Sequence, residues 1–209
     1  MLIFTRMILL SSAQTAYVAV FTICVPLIIS LIIYLVYKNV HRHKHIKELT
    51  YLKLKRFCES NDYLLLNEYR IEIDDSHVGM IDHIVVSDKY IFIINDFPIS
   101  GVIKGNYSAD ELNTYDKNGA GMIVNPLNYN INMAKRLALY NDLSQDLVKG
   151  LVVINDDSKA IIENGNDQFK IVRLKELRKT IKQFDKDNVK KLKEEAVVAF
   201  IKYLDKQNQ

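Results

Sequence analysis

The stretch MIDHIVVSDKYIFIINDF, Met80 to Phe97, decides the fold. Two apolar runs are folded about the polar break Ser87-Asp88-Lys89, which reads as a turn between strands. Ile84–Val86 and Ile91–Ile94 are apolar at every position rather than at alternate ones, the pattern of central strands covered on both faces. Asp82 opens the first run, and the second ends in Asn95-Asp96-Phe97. Residues i and i+2 of a strand share a face, so Asn95 and Phe97 point one way and Asp96 the other.

Outward from this pair, YLLLNEYRIEI before it and GVIKGN after it read as further strands. IKELTYLKLKRFCES reads as a helix, with Ile46, Leu49, Leu52 and Phe57 among its apolar positions. Asp110 to Gly121 is polar and contains glycine, and is expected to be a loop or short excursion. NMAKRLALYNDL has Met133, Leu137 and Tyr140 at helical spacing. KGLVVINDD and FKIVRL are expected strands, followed by helices from about Lys175 and over Asp187 to Lys206. The expected fold class is α/β, a mixed sheet flanked by helices, over residues 46–209.

The N-terminal part is of another kind. No charged residue occurs from Met7 to Tyr37. Residues 16–37, AYVAVFTICVPLIISLIIYLVY, extend to roughly 33 Å as a helix, enough to cross a bilayer core. The run is longer than a signal-peptide core and lacks a small-x-small cleavage site, so an uncleaved single-pass anchor is expected after a short tail, 1–15. Arg6 alone precedes it, whereas Lys38, Arg42, Lys44 and Lys47 follow it. The positive-inside rule therefore puts the amino terminus outside and the domain in the cytoplasm, behind a basic linker, 38–45. His41, His43 and His45 alternate within that linker, a spacing that spreads the rings around a helix axis, and it reads as a basic collar against anionic headgroups.

The formal net charge of +3 is too mild to mark a nucleic-acid binder by itself. With 49% hydrophobic and 25% charged residues, the chain is one that folds rather than a disordered one. The two cysteines, Cys24 and Cys58, lie in unlike segments and are read as separate reduced thiols.

YLLLNEYRIEI, GMIDHIVVSD, YIFIINDF, GVIKG and Asn125-Pro126-Leu127 together, in this order, resemble the nuclease-related domain (NERD) family. Gly79 to Gly105 aligns without gaps, and the likeness runs over roughly Ile46 to Leu143. The resemblance implies a PD-(D/E)XK nuclease core, in which an Asp and a Glu on neighbouring strands hold Mg²⁺. A Lys two residues past the Glu positions the attacking water. Hard cations need oxygen ligands, and phosphodiester cleavage needs a metal-polarised phosphate.

Carried over, Asp82 takes the place of the metal-binding Asp and His83 that of the histidine after it. Glu48 falls near the place of the helix Glu, without the glycine that precedes it in the family pattern. Tyr129 stands where the family has Gln. At the centre the pattern fails: Asn95 occupies the Glu position and Phe97 the Lys position. An amide oxygen is a poor Mg²⁺ ligand, and a phenyl ring moves no proton.

The expected protein is thus a membrane-anchored, catalytically inactive module that binds nucleic acid or protein. DNA would be met by Lys89, Lys104 and the run KDNVKKLKEE. Two alternatives stand beside it. One is an active Mg²⁺-dependent DNase whose site is rebuilt from Asp82, Asp96 and Glu48; the other is a structural membrane protein without nucleic-acid function. Asn125-Pro126 is also readable as a turn before a helix, and Gly101 and Gly105 as tight backbone bends.

Overall fold

The computed structural model describes residues 23–34, 36, 45–74, 77–186 and 189–207. The chain divides into two units, residues 1–42 and 43–209. In the first, residues 23–34 are helical, with exposed apolar side chains. The rest of the expected anchor, except Val36, lies outside the described residues, as does the linker up to residue 44. Among the described residues no helix is long and apolar enough to cross a membrane.

The second unit opens with α1 (Ile46–Glu59), which buries Ile46, Thr50, Leu54, Phe57 and Cys58 on one stripe. Three antiparallel strands follow, β1 (Leu64–Asp74), β2 (His77–Val86) and β3 (Ile91–Asp96). The β2–β3 turn is closed by Ser87, whose N–H donates to the Tyr90 carbonyl and whose Oγ accepts from the N–H of Lys89 and Tyr90. Next come β4 (Val102–Asn106), β5 (Glu111–Asp116), β6 (Gly119–Val124) and α2 (Pro126–Tyr140). Then β7 (Val148–Ile154), β8 (Lys159–Glu163), β9 (Phe169–Arg173), α3 (Leu177–Phe184) and α4 (Glu194–Gln207) complete the unit.

Five strands form one mixed sheet in the order β1-β2-β3-β7-β9, with β3, β7 and β9 parallel. β3 is its central strand, and both of its faces are covered. Ile91 and Ile93 pack with Leu127, Met133, Leu137 of α2 and Phe200, Leu204 of α4. Phe92 and Ile94 pack with Leu54 and Phe57 of α1 and Leu177 and Ile181 of α3. An unbroken apolar run is what a strand between two helical layers requires.

The expectation of one sheet is corrected by a second, four-stranded sheet in the order β6-β5-β4-β8. The expected loop over Asp110 to Gly121 is mostly the β5–β6 hairpin, in which Leu112 alone is buried. Gly101 begins β4's side of this sheet with φ +92°, and a Cβ there would stand 2.2 Å from the Tyr115 carbonyl oxygen, so only glycine fits. A Cβ on Gly105 would meet the Leu112 side-chain Cδ2 at 2.6 Å, so the glycine leaves room for this buried leucine. The two sheets meet over Ile103, Leu112 and Ile154, with Phe97 packed against them.

The C-terminal helix is shorter than the sequence pattern predicts. Leu192 N–H donates to the Asp88 carbonyl at 2.7 Å and Lys191 pairs with the Asp88 carboxylate, so this segment is pinned to the β2–β3 turn before α4 begins at Glu194.

Candidate active site at the α1–β2–β3 junction

Asp82 lies where β1 and β2 part. Their ladder keeps one register from Leu64↔Val86 to Glu72↔Val78, yet the Glu68–Asp82 rung is missing. Glu68 there has φ +57°, a left-handed conformation uncommon for a residue with a side chain. Ile81 and Ile84 both enter the core cluster beneath α2, which frees Asp82 and His83 to reach toward α1.

Both Asp82 oxygens have donors. Oδ2 accepts from the backbone N–H of Asp96 at 2.9 Å, and Oδ1 lies 2.8 Å from Lys47 Nζ. The same ammonium is 3.2 Å from Glu68 Oε1. The hydrogen bond to Asp82 is the largest influence on Lys47 and raises its pKa above the ordinary 10.5. Lys47, counted by sequence only among the basic residues that follow the apolar run, is an inner cation of this site. Neither it nor Glu68 was legible as a site residue, because 35 and 14 positions of chain separate them from Asp82.

On the α1 side of the sheet, Asp96 is spent on a buried chain of hydrogen bonds. Thr50 Oγ1 donates to Asp96 Oδ1 at 2.6 Å, and His83 Nε2 donates to Oδ2 at 2.9 Å. His83 Nδ1 lies 2.6 Å from Asn67 Oδ1. The Asp96 and His83 side chains are only 3% and 2% exposed, and their polar atoms are spent on internal hydrogen bonds.

Asn95 and Phe97 point to the other side. Asn95 Nδ2 donates to the Met80 carbonyl, and its buried Oδ1 has no hydrogen-bond partner among the described residues. Phe97, at the position the resemblance gives to lysine, packs into the apolar clusters of both sheets and is part of the inter-sheet core. Tyr129 reaches the same backbone: its hydroxyl donates to Met80 O and accepts from Met80 N–H. Glu48 stands apart, 66% exposed, with its carboxylate 3.0 Å from His45 Nδ1. Among the described residues no group of three or more His, Cys, Asp or Glu side chains is placed to hold a metal ion.

Beside Asp82 a cleft of about 430 Å³ is lined by Lys47, Glu48, Tyr51, Asn67, Glu68 and His83. Asn125 lies outside it. Its Oδ1 accepts from Leu127 N–H to cap α2, with Pro126 in the first turn, and its Nδ2 donates to the carbonyls of Tyr107 and Ala109. The lysines expected to meet DNA are partly engaged: Lys89 Nζ donates to the Asp185 carbonyl, and Lys104 stands over the Tyr115 ring.

A helix, three antiparallel strands, a crossover helix and a parallel strand, with Asp82 beside the β2–β3 pairing, define a mixed α/β protein flanked by helices. The family model for the nuclease-related domain matches residues 43–155, more than half of the 209, and the chain belongs to that family. The match ends just after β7, so β8, β9, α3 and α4 lie beyond it. No curated protein and no solved structure matches the chain.

Residues for a family-type Mg²⁺ centre do not fit here. Asp82 is the one carboxylate of that set in place, and it is bound to an ammonium. Asn95 offers a neutral oxygen, whereas a hard divalent ion is held by carboxylates and other oxygen ligands in larger number.

Proposed function

We propose that this is a membrane-anchored member of the nuclease-related domain family without nuclease chemistry, serving as a binding module for nucleic acid or protein at the cytoplasmic membrane face. The observation that carries it is the pairing at the centre of the site: Asn95 ties its amide to Met80 O, while Phe97 is packed as core. The uncharged run before Lys38 and the lysines and arginine after it support the anchor and its orientation. An active, rebuilt DNase needs Asp82, Asp96 and Glu48 on one ion, and these three carboxylates have different partners: Lys47, Thr50 with His83, and His45.

The reading is tested by expressing the full-length chain, washing the membranes with alkaline carbonate, and titrating detergent-solubilised protein with duplex and single-stranded DNA over a range of salt. Retention in the membrane with salt-sensitive DNA binding supports it; such binding weakens steeply with salt when lysines meet phosphates. Retention without DNA binding narrows the module to protein partners. Release by carbonate removes the anchor, and metal-dependent cleavage of the DNA removes the loss of chemistry.

A further inference from the structure

The position of Lys47 answers a question that the family pattern leaves open: what balances Asp82 once the metal's other ligands are gone. A half-buried carboxylate without a counter-charge is costly. Lys47 Nζ lies between Asp82 Oδ1 at 2.8 Å and Glu68 Oε1 at 3.2 Å. These two acids are also the one rung missing from the β1–β2 ladder between Leu64↔Val86 and Glu72↔Val78. Glu68 takes up its left-handed φ at this point, a strained conformation for a residue with a Cβ. The backbone departs from the sheet at the pair of residues that the ammonium bridges. Asp82 Oδ2 is held from behind by the Asp96 N–H, which aims Oδ1 at α1.

We propose that Lys47 is the resident cation of the Asp82 site, bridging Asp82 and Glu68 in the place of a divalent ion and closing the site to metal. This rests on the reading that the nuclease chemistry is lost. It adds a residue on α1 that fixes the loss: a lysine tethered through its own backbone competes with free Mg²⁺ or Mn²⁺ at very high effective concentration. Restoring Asn95 and Phe97 to the family's residues would therefore leave the site still occupied.

The test is calorimetric titration of Mn²⁺ into the full-length chain in detergent, comparing wild type, Lys47→Met, Lys47→Arg and the double variant Lys47→Met with Asp82→Asn. Lys47→Met is expected to bind Mn²⁺ at least tenfold more tightly than wild type, and the double variant to lose that gain. Lys47→Arg keeps the charge and is expected to behave as wild type. Asp82-dependent Mn²⁺ binding by wild type as tight as by Lys47→Met would overturn the assignment, as would no gain in Lys47→Met.

If Lys47→Met is too unstable to titrate, the proposal requires Asp82→Asn to recover stability in the double variant, because an unpaired carboxylate is then the cause. A double variant no more stable than the single one overturns it as well. The two readings fail separately. Metal-dependent cleavage by wild type defeats the loss of chemistry, whereas a silent wild type with no Mn²⁺ gain in Lys47→Met defeats the role of Lys47 alone.

Discussion

His83 Nε2 and Asp96 Oδ2 stand 2.9 Å apart with both side chains buried, joining β2 to the end of β3. Thr50 supplies a second donor to Asp96 from α1, so three elements converge on one carboxylate. Removing this carboxylate leaves two buried donors, Thr50 Oγ1 and His83 Nε2, without an acceptor. Asp96→Ala is expected to cost about 2–4 kcal/mol in denaturant unfolding of the full-length chain. Thr50→Val, which removes one neutral donor, is expected to cost about 1–2 kcal/mol. A loss below 1 kcal/mol for Asp96→Ala would show that the chain of hydrogen bonds is dispensable.

Phe97 fills the seam between the two sheets. Phe97→Ala is expected to lower stability by about 2–3 kcal/mol, less than for a fully enclosed phenylalanine because its ring is only partly buried. Phe97→Lys, which restores the family's residue type, should be worse than Phe97→Ala because it puts an ammonium where apolar side chains meet. Equal stability of the Lys variant and wild type would place this side chain in solvent. Thermal unfolding of the three proteins checks the order.

Asn125 joins α2 to the loop after β4 through its cap and two carbonyl contacts. Asn125→Ala should lower stability by about 2 kcal/mol, with Asn125→Asp recovering the cap and none of the Nδ2 bonds. Hydrogen exchange at Leu127 N–H should rise in the alanine variant and stay slow in the aspartate one. Fast exchange in both would mean that Asn125 does not cap the helix.

Cys58, on the buried face of α1, is 3% exposed, and burial pushes its thiol from 9.0 up to about 12. The folded chain therefore holds the proton while the unfolded chain releases it, so stability declines as pH rises through about 9–12. Burial also raises Tyr63, with the Asp185 carboxylate beside it adding to the effect, and it acts in the same direction. Cys58→Ala should flatten the alkaline arm of the stability profile, and a disulfide-exchange reagent at pH 8 should reach Cys58 only on unfolding. Rapid modification of Cys58 in the folded chain would contradict this.

The fold was most legible where burial is two-sided or strictly periodic. Ile84–Val86 and Ile91–Ile94 announce their central place because each face needs apolar residues. The β5–β6 hairpin was missed because most of its residues face solvent, leaving Leu112 as the one buried anchor. Lys159–Glu163 escaped for the same reason, as a short strand with three exposed positions. α2 begins six residues before its visible apolar spacing, at Pro126, because a cap and a first-turn proline carry no hydrophobic period. In the site, Asp82, Asn95 and Phe97 were found by pattern. Lys47 and Glu68 were not, since their meeting depends on an αL residue and a helix docked across the strands. Nothing local in the sequence encodes that meeting.

In the proposed reading, Asp82 survives on a scaffold that no longer cuts nucleic acid. The measurement that tests it most directly is cleavage of plasmid and linear single-stranded DNA by the full-length chain with Mg²⁺ or Mn²⁺, beside an Asp82→Ala control. No cleavage above that control is expected. Cleavage by wild type that disappears in Asp82→Ala would contradict it.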